Sequence, residues 1–178
     1  QGDCNTNAGP LSFLGNIPFS FKEYLSFKKV ESEKFSGQTR LLVQNEMADY
    51  FLYGGFPETV GLEERSIIQI HQEYFKPIVN RDVIERNNAS NPKMILEMAK
   101  TFFHSNASLY TINKVTEKIS SLGHKVNKSK TVSIIDWFED SYFMFSVKKY
   151  DASVHKQNVN PKKIYCIDPG LVRSVTGG

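Results

Sequence analysis

Cysteine is nearly absent. Cys4 and Cys166 are the two in 178 residues, and they lie far apart. The chain therefore has no disulfide framework and no paired-cysteine ligand spacing, and the scarcity points to a reducing, cytoplasmic setting. Long apolar runs are missing too. None approaches the roughly 20 residues that span a bilayer, so no membrane partner is expected. Gln1–Pro10 lacks the charged-then-apolar pattern of a signal peptide. Gly-x-x-x-x-Gly-Lys-Ser/Thr and Gly-x-Gly-x-x-Gly are both absent, so no backbone cradle for a nucleotide phosphate is encoded here. His-Glu-x-x-His and the Gly-x-Ser-x-Gly elbow are missing as well. His71, His104, His124 and His155 are scattered and read as surface or partly buried residues. Together these absences argue against an independent hydrolytic site, and no catalytic or metal-binding residue is expected in this chain. Arginine is rare in the second half: none occurs from Lys93 to Pro169.

What is present suits one large domain or two small ones. The chain is 40% hydrophobic and 12% aromatic, enough for a core, and 23% charged. The net charge of +3 is uneven: residues 1–103 carry −2 and residues 104–178 carry +5. A basic C-terminal half suits either a solvated lysine surface or an anionic partner such as nucleic acid.

Periodicity predicts a mostly α chain. Residues 1–18 read as a flexible leader or an artificial edge. Ser20 with Glu23 forms a capping-box pattern, and Phe21, Tyr24, Leu25 and Phe27 give a short helix an apolar face. A polar stretch over 31–38 reads as a loop. Leu42, Met47, Phe51 and Leu52 mark a helix over 39–53, stopped by Gly54-Gly55-Phe56-Pro57. Residues 63–86 form the longest helical stretch, which Pro77 should kink. The polar run 87–92 divides a region 19–91 from a region 92–178. Three helices follow, over 93–105, 111–122 (closed by Gly123) and about 128–141. For the third, Val132, Ile135, Trp137 and Phe138 are available for burial, with Trp137 and Phe138 expected as core residues. Residues 142–150 and 163–167 read as two strands joined by a polar tip, closed by Asp168-Pro169-Gly170. Three helices followed by a two-stranded ribbon is the order of a winged helix-turn-helix.

Three features carry possible chemistry. Gly54, Gly55, Phe56, Pro57 and Glu58 concentrate backbone-special residues. They make either a tight interhelical turn plugged by Phe56 or a functional turn. Arg81 lies with Asp82, Glu85 and Arg86 on one helix. It is either part of an ion-paired face, each pair worth roughly 0.2–0.5 kcal/mol, or an arginine offered to a neighbouring phosphate. Lys125, Lys128 and Lys130 sit at the start of the third C-terminal helix, and Lys148, Lys149, Lys156, Lys162 and Lys163 lie on the ribbon. They are solvated lysines or phosphate contacts. Asp136, Glu139 and Asp140 later in the same helix oppose a nucleic-acid role.

Four elements occur in a telling order: Phe19-Ser20-Phe21-Lys22-Glu23-Tyr24-Leu25, then Tyr50-Phe51-Leu52-Tyr53-Gly54-Gly55-Phe56-Pro57-Glu58, then Ile78-Val79-Asn80-Arg81-Asp82-Val83, then Lys163-Ile164-Tyr165-Cys166-Ile167-Asp168-Pro169-Gly170-Leu171. From Phe19 onward the chain resembles the C-terminal half of a prokaryotic AAA-superfamily ATPase whose core is followed by a domain of unknown function. The resemblance implies a fragment: a helical lid over 19–91 and a winged helix over 92–178. The ATPase core and the carboxylates of a terminal nuclease-like module would lie outside it. It implies ATP and magnesium for the intact protein and none for this part, Arg81 as a phosphate-sensing candidate, and 54–58 as a lid turn. Expected partners are the missing core, then DNA (weakly sequence-specific) or a protein, and conceivably a second copy. The rival readings are a free-standing winged-helix transcription regulator and a protein–protein interaction module.

Overall fold

The computed structural model describes residues 17–30 and 37–177. The expected leader therefore lies outside the described residues except for Ile17 and Pro18. Of the expected 31–38 loop only Gly37 and Gln38 are described, and they begin a helix. The chain folds mostly into helices with one small antiparallel sheet. Helix α1 (Phe21–Phe27) starts on the predicted capping box: the Ser20 amide donates to Glu23 Oε2 at 2.8 Å, and the Glu23 amide donates back to Ser20 Oγ. Helix α2 (Gly37–Tyr53) follows, then a 3-10 turn (Pro57–Thr59) and α3 (Glu64–Pro77).

Pro77 does not end the helical path. It changes the winding, and Ile78–Glu85 continues as a π-helix. Proline cannot donate its backbone N–H, so the α ladder loses a rung at this point. The wider winding that follows is closed by the Arg86 amide donating to the Arg81 carbonyl, five residues back. It turns Ile78, Val79, Val83 and Ile84 inward.

The second half contains α4 (Pro92–His104), β1 (Leu109–Tyr110), α5 (Ile112–Ser121), α6 (Lys128–Asp140), β2 (Met144–Lys148), α7 (Val154–Val159), β3 (Lys162–Cys166) and α8 (Pro169–Thr176). Short polar side chains start these helices by accepting orphan amides: Asn91 for α4, Thr111 for α5, Asn127 for α6, Ser153 for α7 and Asp168 for α8. Strand β3 lies in the middle of the sheet, antiparallel to both neighbours, in the order β1-β3-β2.

The structure corrects several expectations. The ribbon has a third short strand, β1, because Leu109-Tyr110 pairs with Lys162-Lys163. The hairpin tip holds α7, and Asp168-Pro169-Gly170 opens α8 where a closing turn was expected. Val132 is 41% exposed, since α6 buries Thr131, Ile134, Ile135 and Phe138, one face at helical spacing. Leu122, expected on the apolar face of its helix, is exposed beyond the end of α5. Trp137 is only half-buried against the core, with the Lys130 ammonium 4.5 Å from its ring centre. In α2, Leu42, Met47, Phe51 and Leu52 are all exposed, and the helix buries no residue fully.

One apolar cluster runs through both halves. Phe56, Phe75, Val79 and Val83 belong to the same core as Met98, Phe102, Phe138, Ile164 and Leu171. Aromatic rings link its parts: Phe75 to Phe103 at 5.3 Å, Phe103 to Phe143 at 4.8 Å, and Phe143 to Phe138 at 5.8 Å. The polar run at 87–92 therefore separates two helices without dividing the hydrophobic core. Phe138→Ala should cost about 3–5 kcal/mol in urea unfolding because its ring is fully enclosed. Trp137→Ala should cost less than half as much, and equal losses would show that Trp137 is a full core residue after all.

Candidate functional site

The second and fourth motifs of the sequence pattern meet in space. Asp168 is fully buried and caps α8. Its Oδ1 accepts the Leu171 amide at 2.7 Å, as a helix cap should. Its Oδ2 accepts the Gly55 amide, also at 2.7 Å, from the turn after α2. Glycine is required on both sides of this contact. Gly54 has φ +80, and a Cβ there would overlap the Asp168 carboxylate. A Cβ on Gly170 would overlap the backbone of Tyr53 and Gly54. The Gly55 carbonyl in turn accepts the Phe19 amide at 2.7 Å, and Tyr50 Oη donates to the Phe19 carbonyl at 2.6 Å. Phe56 then enters the core, fully buried, between Tyr74 and His71. The predicted tight turn plugged by Phe56 is what the structure contains, with Pro57 half-buried and Glu58 exposed beyond it.

Helix α8 is fastened by further contacts. His71 on α3 is fully buried, with Nδ1 2.9 Å from Ser174 Oγ on α8. Arg173 forms an ion pair with Glu64 and lies over the Tyr53 ring. Burial pushes the Asp168 carboxyl up to about 6, against the downward pull of the Gly55, Leu171 and Gly170 backbone. Burial pushes the His71 imidazole down to about 4, with the Gly170 backbone opposing it. A serine beside a histidine suggests nucleophilic catalysis, but Ser174 is 5% exposed and its partner is enclosed. The pair serves as a buried tie between α3 and α8.

Arg81 is exposed on the π-helix. With Arg86 it acts on Asp82, whose carboxyl is nonetheless held above its ordinary value by burial. The predicted lysines do not form one patch. Lys125 is exposed before α6, Lys128 is exposed at its first turn, and Lys130 is spent on Trp137. Lys148 donates to Asn158 Oδ1 of α7 at 2.8 Å. Lys149 and Lys156 are exposed on the tip. Lys162 faces the electrostatic influence of Asp136, and Lys163 is exposed mid-sheet. The outward row of α6 is Lys128, Val132, Asp136 and Asp140, basic only at its start. Glu139 Oε1 accepts the Ser146 amide at 3.0 Å and so covers the β2 edge. Among the described residues, no three carboxylate, imidazole or thiol side chains are grouped to hold a metal.

The sequence reading missed the Asp168–Gly55 bond and the His71–Ser174 pair. Asp168-Pro169 carried a usable signal, a capping residue followed by proline at the first helical position. Nothing in the sequence marks His71 as the partner of Ser174, which lies 103 residues away.

These features define a mostly helical protein whose small sheet and last helix are clamped onto a glycine turn. The chain belongs to the family described as Domain of unknown function (DUF8612), matched over residues 44–178. It is similar to the Uncharacterized protein MJ1544 of Methanocaldococcus jannaschii, 26% identical over 154 residues, covering 85% of this chain and 34% of that protein. It is likewise similar to an Uncharacterized protein of Haemophilus influenzae, 26% identical over 160 residues, covering 90% of this chain and 38% of that one. The chain thus spans little more than a third of the length of these relatives. No solved structure matches it.

The two shifted groups oppose each other in pH. The Asp168 value is raised from 3.8, so its contribution to stability is present below about pH 4 and lost as pH rises to about 6. The His71 value is lowered from 6.5, so its contribution is present above that pH and lost as pH falls through about 4. Each effect is of order 3 kcal/mol, and over the shared window they largely cancel. Asp168→Asn should cost about 1–3 kcal/mol, because an amide NH2 would face the Gly55 N–H. Relative to the wild type, its stability should then gain a rising slope from pH 4 to 6, because the His71 contribution is no longer offset by Asp168. His71→Gln should show the reverse slope. Parallel pH profiles for both variants would contradict this assignment.

Proposed function

We propose that this chain is the non-catalytic interaction half of an AAA-type ATPase. Residues 19–91 serve as a lid that packs on an ATPase core, and residues 92–178 serve as a winged-helix unit that engages a partner. The observation that carries this reading is the outer face of α2. Leu41, Leu42, Met47, Phe51 and Leu52 are 41–62% exposed on one helix, while its inner side leans on α1 and α8. Soluble chains rarely leave such a concentration of large apolar groups in water. Each would contribute roughly 1.5–3 kcal/mol on full burial. A face of this kind suits a permanent neighbour, and relatives about two and a half times as long leave room for one in the same polypeptide.

The second half supports the winged-helix reading through its element order. Three helices with a short strand after the first, then an antiparallel pair, is the order such domains use. The residues described here do not fit an ATP–magnesium site, since neither a glycine phosphate loop nor an acidic cluster is among them. Nucleotide chemistry would therefore belong to the neighbouring core. Arg81, exposed on the π-helix, is the side chain we assign to reach toward a phosphate bound there. The free-standing regulator is the weaker reading, because it leaves the α2 face without a purpose.

The test uses the longer polypeptide. Phe51→Glu with Leu41→Glu should detach the lid, seen as faster limited proteolysis between the parts, and should lower ATP turnover by tenfold or more. Arg81→Ala should lower turnover without changing the melting temperature. The isolated 178-residue chain should neither bind nor turn over ATP. Unchanged turnover and unchanged proteolysis in the α2 variant would defeat the lid assignment.

A further inference from the structure

Among the described residues, the outer face of the sheet is largely exposed, and its chemistry is specific. Side chains alternate across a strand, so the pairing register assigns each residue to a face. Met144, Ile164, Cys166 and Tyr110 are buried and define the inner face. Leu109, Lys163 and Val147 are register partners in one row across all three strands, and Phe145 and Tyr165 are partners in the next. These five share the outer face. Leu109 is 63%, Val147 50% and Phe145 48% exposed. The Phe145 and Tyr165 rings are stacked neighbours with nearly parallel planes, their centroids 6.5 Å apart and the planes inclined by 23°.

We infer that this face binds single-stranded nucleic acid. Two neighbouring aromatic rings on an open antiparallel sheet present π-faces on which unpaired bases stack. Leu109 and Val147 supply apolar surface beside them, and Lys163, between the two, supplies the cation for the backbone phosphate. Lys149 follows directly at the end of β2 and is exposed. Among the described residues, no carboxylate is paired into these rows of the outer face. Glu139 bonds the β2 edge, and Asp136 and Asp140 project from α6, whose buried residues pack toward the inner side. The charge pattern decides among occupants. A dry protein interface would have to desolvate the Lys163 ammonium at its centre, with no ion-pair partner for it among the described residues. A phosphodiester brings the matching anion with it. A duplex keeps its base faces inside the stack and cannot use the rings, so the expected ligand is unpaired. This inference names the partner of the winged-helix unit and is independent of the lid and of any ATPase core. It also differs from duplex binding through Lys125, Lys128 and Lys130, which lie at the start of α6.

The experiment is fluorescence anisotropy of the whole chain with labelled 12-nucleotide oligothymidine, oligouridine and a 12-base-pair duplex at low salt. Both single strands should bind more tightly than the duplex, and the ratio of the two shows whether DNA or RNA is preferred. Phe145→Ala and Tyr165→Ala should each weaken single-strand binding about tenfold, the loss of one stacked base. Lys163→Gln should reduce the slope of log affinity against log salt by about 0.7. Lys128→Ala should leave single-strand binding unchanged. Phe145 is exposed, so its variant should keep the wild-type melting temperature; if it does not, Lys163→Gln carries the test alone. No single-strand binding at low salt would overturn the inference. So would binding unaffected by all three face variants, or Phe145-dependent self-association in sedimentation without oligonucleotide affinity. Duplex binding lost in Lys128→Ala but not in Phe145→Ala would overturn it while leaving the winged-helix reading standing.

Discussion

The structure depends on one buried carboxylate. Asp168 joins its own helix start to a backbone amide 113 residues earlier. A charge in a protein interior is tolerable only when its lone pairs are matched, and here backbone N–H groups from two elements match them. The helix start of α8 adds its dipole to the same effect. Because the donor at Gly55 is backbone, the contact constrains the path of the chain more than its side chains. Tyr53, Gly54 and Gly170 must come close enough that no Cβ fits between them. The position of α8, and through it of β3 and the sheet, follows from that approach. So does the strap at Phe19, which hangs on the carbonyl of the same Gly55.

Pro77 sets the second constraint. A straight α-helix through residues 64–86 would keep Phe75, Ile78, Val79 and Val83 on one face and carry Ile84 off it. The π winding delays the turn, so that Val83 and Ile84 are buried under the same cluster that holds Phe75. It also leaves Arg81 outward. A π-helix is costly in hydrogen-bond geometry and usually short. Eight residues of it are sustained here because four of them are packed against α4 and the core.

Much of the fold is legible in the sequence, and the reasons differ by element. The caps at Ser20 and Gly123 and the apolar stripe of α4 are local, so spacing alone finds them. Helix α6 shows where local reading stops. Its hydrophobic residues fit either of two adjacent faces, and tertiary packing selects Ile134 and Phe138 over Val132 and Trp137. Helix α2 is legible as a helix but not as an outward one, because an apolar stripe does not say whether its partner belongs to the same chain. The candidate site is less legible still. Both of its motifs stand out in the sequence, but their junction depends on a contact of very long sequence separation. His71 is one scattered histidine among four until its partner is brought to it.

The distribution of charge over the surfaces gives the parts of the molecule different capacities. The eight candidate lysines of the second half look in sequence like one basic patch. In space, Lys130 is covered by Trp137, Lys148 is tied to α7, and Lys162 answers Asp136. What remains free of local partners by these contacts is divided between the start of α6 and the outer sheet. On α6 the basic start is followed about two and three turns later by exposed Asp136 and Asp140, so a polyanion lying along the helix meets repulsion. The sheet carries fewer cations but no opposing carboxylate, and it adds two rings. Affinity for an anionic polymer is governed by local pairing of charge with surface and not by the net +5 of the half-chain. The sheet face therefore has the stronger physical claim to such a ligand, although the helix holds more lysines near its start.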